Sequence, residues 1–175
     1  MPAEGSFRHA GTLFFSPYMK IHLIAVGRTA DPRLQSLIAD YVDRLEHYVP
    51  FRLEIIPELK NTKSISTEQQ RQREGVLILK SLQEGDHVVL LDEKGKELRS
   101  VEFAASLERL QQAATRRLVF VIGGPYGFSD EVYRRASGKL SLSRMTFSHQ
   151  MVRLFFVEQC YRAMTILKGQ PYHHE

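Results

Sequence analysis

Three glycines in five residues, Gly123-Gly124-Pro125-Tyr126-Gly127, follow the apolar run Leu118-Val119-Phe120-Val121-Ile122. Glycine leaves main-chain N–H and C=O groups without Cβ cover, so a ligand can approach the backbone closely. A tight strand-to-helix turn uses the same residues, and the loop alone allows both readings. It is not a P-loop, because no Gly-Lys-Ser/Thr follows. Nor is it a dinucleotide fingerprint, whose glycines follow the first strand, where this chain offers only Gly27. A second cluster ends the chain, Pro171-Tyr172-His173-His174-Glu175. One aromatic ring and two imidazoles can stack on a base and exchange a proton near neutral pH. The same residues also suit a frayed terminus. Arg153 and Arg162 sit among apolar neighbours, where Arg153 can meet a phosphate or form an ordinary ion pair. Glu158 is spaced to pair with Arg162 at i, i+4. Seven histidines form no His-x3-His or His/Cys group of the zinc type, so no metal is expected.

The elements that must position these groups alternate along the chain. Ile21–Val26 is an apolar, β-branched run that predicts a buried strand. Asp31-Pro32 supplies an N-cap and a proline at the first helical position. Leu34, Leu37, Ile38, Tyr41 and Leu45 then predict a helix over 32–47. Phe51, Leu53 and Ile55 predict a second strand, ended by Pro57, before a polar loop over 58–66. Ser66 with Gln69, or Thr67 with Gln70, opens a helix to about Leu82 with Val76, Leu79 and Leu82 on its apolar stripe. His87–Leu91 predicts a third strand and 92–96 a turn. Ser100 is the expected cap of a helix bearing Phe103, Leu107, Leu110 and Ala114. Residues 118–122 form the fourth strand, Ser129 caps a helix with Asp130 and Glu131 in its first turn, and 140–147 predicts the fifth strand. The last helix spans about Ser148 to Lys168, with Gly169 as its C′ residue. Its apolar stripe (Val152, Phe155, Phe156, Cys160, Ala163, Met164, Leu167) is widened by Leu154, Val157, Tyr161 and Ile166. That excess predicts burial on two sides, in a homodimer or as a central helix of one chain.

Strands and helices in alternation predict a three-layer α/β domain with a largely parallel sheet, in which two strand ends bring their loops to one ligand site. At 175 residues and 43% hydrophobic, the chain suits one domain with a real core. Net charge of +4 permits a polyanionic partner without requiring one. Cys160 is the single cysteine; it excludes an internal disulfide, suits a reducing cytoplasm and lies in an apolar pattern expected to bury it. No apolar run is long enough to span a bilayer. Residues 1–18 lack a sustained period, and the clean strand start at Met19 predicts that the functional domain is 19–175, after a leader that is disordered or an upstream start.

Several motifs together carry a resemblance: Met19-Lys-Ile-x-Leu-Ile-Ala-Val-Gly27, Leu91-Asp-x-x-Gly-Lys96, Ile122-Gly-Gly-Pro-Tyr-Gly-Phe128, Leu142-Ser-Arg-Met-Thr-Phe-x-His149, Val152-Arg153, Glu158-Gln-x-Tyr-Arg162 and Pro171-Tyr-His-x-Glu175. In this order they resemble the SPOUT, or trefoil-knot, methyltransferase superfamily over essentially all of 19–175. The resemblance implies an α/β/α fold with a mostly parallel sheet and a C-terminal trefoil knot, an exception to the rule against threaded chains. It implies a homodimeric enzyme, joined through the C-terminal helix region, that uses S-adenosylmethionine to methylate N3 of a pseudouridine in 23S rRNA of the assembled ribosome. Carried over by position, the cofactor pocket uses Leu91, Gly123, Leu142, Ser143, Arg144, Met145, Thr146 and Phe147. Backbone at Gly123 and 142–147 would bond the adenine edge and ribose, while Leu91, Leu142, Met145 and Phe147 bury apolar faces. The catalytic candidates are His173 as base, Tyr172 as stacking group and Arg153 for phosphate or developing charge, with His149 behind them. A related enzyme with another RNA target, such as tRNA, and a non-catalytic ribosome-associated factor are the alternatives.

Overall fold

Lys20–Val26 forms β1, whose side chains after Lys20 are all buried. The computed structural model describes residues 19–174; the leader 1–18 and Glu175 lie outside the described residues. The chain continues through α1 (Pro32–Glu46), β2 (Phe51–Ile56), a 3-10 turn at Thr62–Ser64, α2 (Thr67–Ser81) and β3 (His87–Glu97). It ends with α3 (Ser100–Gln112), β4 (Arg117–Ile122), α4 (Asp130–Arg135), β5 (Gly138–Ser141) and α5 (Met151–Leu167). The five strands pair in the order β2-β1-β4-β3-β5, and every pairing is parallel.

Strand periodicity divides the sheet between two cores. Ile21, Leu23, Ala25, Leu118, Phe120 and Ile122 face one layer, where Phe103 of α3 and Phe156, Cys160 and Met164 of α5 cover them. Ile24, Val26, Val88, Leu90, Val119 and Val121 face the other, closed by Ile78 of α2 and Val132 of α4. These are the three layers that alternation predicts. α5 is flanked by α1 and α3, so much of its wide apolar surface is used inside one chain. Cys160 is fully buried there, and desolvation pushes its thiol well above the usual range.

The caps hold locally. Asp31 Oδ1 accepts from Arg33 N at 2.8 Å, with Pro32 at the first position of α1. Ser66 and Gln69 close a reciprocal capping box on α2. Gly169 takes φ +64° after α5, a conformation that glycine adopts at little cost. Several elements differ from expectation. Ser100 is the first residue of α3, not its cap; Glu102 Oε2 instead accepts from Arg99 N at 2.8 Å. α5 begins at Met151, three residues later than expected. On α2 the buried face carries Glu74, Gly75 and Ile78, while Val76 is half exposed. The expected turn at 92–96 is an excursion within β3: Leu91 and Lys96 both pair with Leu140, with Gly95 against the Leu140 backbone.

At the amino end of the sheet, a charged row ties β2, β1 and β4 together. Arg117 Nη1 donates to Asp86 at 2.9 Å, and Arg117 Nη2 and Nε donate to His22 Nδ1 at 2.5 and 3.2 Å. The His22 proton is thereby placed on Nε2, 3.0 Å from Glu54. Burial, then the Arg117 charge, lowers the His22 pKa despite the opposing Glu54.

Candidate functional site

The fifth strand ends earlier than predicted. β5 stops at Ser141, and 142–147 leaves the sheet as an irregular loop. Ser141 Oγ donates to the Ser143 carbonyl at 3.0 Å, and Ser143 Oγ accepts from Met145 N at 3.0 Å. These side-chain bonds replace the ladder and fold the loop over the sheet end. The glycine loop leaves the end of β4 beside it. An antiparallel bridge joins Gly124 and Gly127, and Gly127 has φ +80°.

The two loops and the bulged end of β3 enclose a cleft of about 460 Å³. Leu91, Asp92, Ile122, Gly123, Leu142, Ser143, Met145, Thr146, Phe147 and His149 are among its walls. Its size falls within the range of small-molecule sites, and it lies outside the carboxyl ends of adjacent parallel strands. A Cβ at Gly123 would stand 2.9 Å from the Phe128 ring, so bare backbone is required there. Of the positions carried over from the resemblance, only Arg144 points elsewhere. It is largely exposed and its Nε lies 3.3 Å from Glu97. Met145 is 75% exposed and the Phe147 ring packs tilted against Phe155, 5.2 Å between centroids, so the cleft's outer rim is apolar and open. The predicted strand would have pointed alternate side chains away; the irregular loop instead turns most of 142–147 to one side.

One wall was not among the sequence candidates. Tyr133 of α4 donates to Asp92 Oδ2 at 2.5 Å, and both line the cleft with Arg71 of α2. Burial, followed by that carboxylate, pushes the Tyr133 hydroxyl up to about 12. It is therefore a fixed donor that holds Asp92 at the excursion. The Asp in Leu91-Asp-x-x-Gly-Lys96 was visible, but nothing in the spacing named its partner forty-one residues away.

Arg153 lies elsewhere than a phosphate-binding arginine would. It is fully buried, Nη1 donating to Thr29 Oγ1 at 2.9 Å and Nη2 to the Val26 carbonyl at 2.8 Å. Its guanidinium fastens α5 to the β1–α1 connection, where Gln150 Oε1 also accepts from Ala30 N at 2.8 Å. Burial lowers its pKa, opposed by Glu58. Tyr172 and His173 are likewise not among the residues lining the cleft of their own chain. The Tyr172 hydroxyl donates to Glu158 Oε1 at 3.0 Å and lies 3.2 Å from the Tyr41 hydroxyl, its ring edge-on to Tyr161 at 4.8 Å. Arg162 bonds Glu158 at 2.6 Å, covers the Tyr172 ring at 4.7 Å and reaches His173 Nδ1 at 3.4 Å. Burial, then hydrogen bonding to Tyr41 and Glu158, raises the Tyr172 pKa, so the phenol keeps its proton. The i, i+4 pair is present, and it orders the tail. Among the described residues no group of His, Cys, Asp and Glu is arranged to hold a metal, and no helix is long and apolar enough to cross a membrane.

The family described as "Predicted SPOUT methyltransferase" matches residues 19–173. Three curated relatives carry the name Ribosomal RNA large subunit methyltransferase H. The protein from Bacteroides fragilis is 61% identical over 157 residues, covering 90% of this chain and all of the relative. Those from Bacteroides thetaiotaomicron and Flavobacterium johnsoniae are 60% and 55% identical over the same shares.

Proposed function

The chain belongs to the SPOUT methyltransferase family, and on that premise we propose that it transfers a methyl group from S-adenosylmethionine to N3 of a pseudouridine in 23S rRNA of the assembled ribosome. The observation that carries this is the convergence of Leu91, Gly123 and all of 142–147 except Arg144 on one cleft. The backbone there is bare where a flat heterocycle must approach and apolar where it must be covered. Curated relatives named for rRNA methylation support the class of substrate.

The donor supplies a methyl group already activated on a sulfonium, so the protein's task is placement. Leu91, Ile122, Leu142 and Phe147 exclude water from the cleft, and Gly123 offers its backbone. N3 of a uracil-like ring carries a proton that must leave as the nitrogen attacks. His173 is the acceptor, and Arg162 beside it favours the ring anion. Tyr172, kept as a phenol, orients the base. Arg153 is a positioning residue that fixes the start of α5 under the 142–149 loop. The tail stands apart from its own cleft, so a homodimer joined through the α5 region places the tail of one subunit over the donor of the other. The exposed Leu37, Met145, Phe147 and Phe155 support such an interface. The C-terminal half is knotted, and the enzyme works in the cytoplasm where ribosomes assemble. Calorimetric titration separates an enzyme from a scaffold: S-adenosylmethionine binds the purified protein, and radiolabelled methyl enters ribosomes but not a lone hairpin. Absence of donor binding would refute the proposal.

A further inference from the structure

Beside the cleft lies a smaller annex of about 310 Å³, lined by Val26, Glu58, Gln70, Glu74, Gly124 and His149 among others. Gly124, Pro125, Tyr126 and His149 line both spaces, so they adjoin along the glycine loop. Glu74 is 3% exposed, midway along a helix whose partners on that face are Gly75 and Ile78. Its Oε1 accepts from Gln70 Nε2 at 2.9 Å, and its Oε2 is buried with no hydrogen-bond partner among the described residues. A Cβ at Gly124 would fall on this carboxyl group, so the missing side chain is what admits Glu74 beneath the loop. Orphaned buried carboxylate oxygens are rare, because desolvating one without a partner is costly.

The charged groups facing this oxygen define what can satisfy it. Glu58 approaches from the connection after β2 and acts on Glu74 as a like charge. His149 faces the annex from the 142–149 loop. Arg153 on α5 faces Glu58, but both of its Nη groups are already bonded to Thr29 and Val26. Two carboxyl groups that share only one guanidinium, its Nη groups bonded elsewhere, favour a further cationic donor, and burial, with Glu58 adding to it, raises the Glu74 pKa against the pull of Gln70. We propose that Glu74, assisted by Glu58, receives the α-ammonium of the donor's amino-acid end, and so selects a cofactor bearing that group. This rests on the assignment of the cleft to S-adenosylmethionine. The ammonium donates to the Glu74 carboxylate, a charge-assisted pair that supplies the partner the buried group lacks.

Isothermal titration of the full chain with S-adenosylhomocysteine and with methylthioadenosine tests this, since both carry the thioadenosine and only the first carries the ammonium. At about pH 6 the ammonium is fully charged. Wild-type protein binds both ligands. Glu74→Gln weakens S-adenosylhomocysteine by about tenfold or more and leaves methylthioadenosine unchanged. Glu58→Gln, at a more exposed position, changes the same ratio in the same direction by less, and carries the test if the buried variant fails to fold. Equal weakening of both ligands, or of neither, overturns the assignment of Glu74 while leaving the cleft's. Failure of wild type to bind either ligand overturns both.

Discussion

The cleft and the tail are built from opposite materials. The cleft is a backbone site: bare main chain at the glycine loop, an irregular loop held by serine side chains, and strand ends fixed by the sheet. The tail is a side-chain site, in which Arg162, Glu158, Tyr172 and Tyr41 hold one another beside His173. A donor common to many enzymes needs shape and main-chain hydrogen bonds, which tolerate little change. A reaction on one nucleobase needs titratable and aromatic groups, which a short segment can supply. On the roles proposed for them, the difference teaches that binding the donor and activating the acceptor can fail separately.

The largest expected effect breaks the chemistry and spares the cleft. His173→Ala lowers the methyl-transfer rate by about 10²–10⁴-fold, the usual contribution of a general base, with donor affinity unchanged by titration. Arg153→Met acts on neither site alone. It leaves Thr29 and the Val26 carbonyl without their buried donor and costs roughly 3 kcal/mol in urea unfolding, with donor affinity falling as the 142–149 loop loosens. Gly123→Ala is the converse of the first. Its Cβ meets Phe128, donor affinity falls by about a hundredfold, and the tail's hydrogen bonds stay intact by NMR. The smallest effect lies away from both sites. The folded pKa of His22 is depressed, so its contribution to stability is full above the ordinary histidine value near 6.5 and is lost as pH falls through the depressed value. His22→Gln flattens that decline in unfolding free energy without altering either ligand's binding.

The same contrast explains what could be read in advance. The strands β1, β2 and β4, the caps at Asp31 and Ser66 and the Gly169 stop were legible because each depends on neighbours in sequence. The glycine loop was legible as exposed backbone, and its service in a cleft became readable only through the motifs around it. Residues 142–147 resisted, because alternating Leu-Ser-Leu-Ser from 140 looks like a strand until Ser141 and Ser143 bond the local backbone instead. Val76 was expected inside, on the apolar stripe of α2, yet it is half exposed and Glu74 is buried. The space opened by Gly124 admits Glu74, and no helical period reports on a glycine fifty residues away. Arg153 was equally opaque: a buried arginine and a phosphate-binding one look alike until its partners on the β1–α1 connection are known.

The measurement that bears most directly on the account uses ribosomes from cells lacking this gene, incubated with purified protein and S-adenosylmethionine and mapped by mass spectrometry. The account predicts that one pseudouridine of 23S rRNA gains a methyl group at N3, and that His173→Ala protein fails to restore it while still binding the donor. Methylation at another nucleotide, or ribosomes left unchanged by a protein that binds the donor, would contradict it.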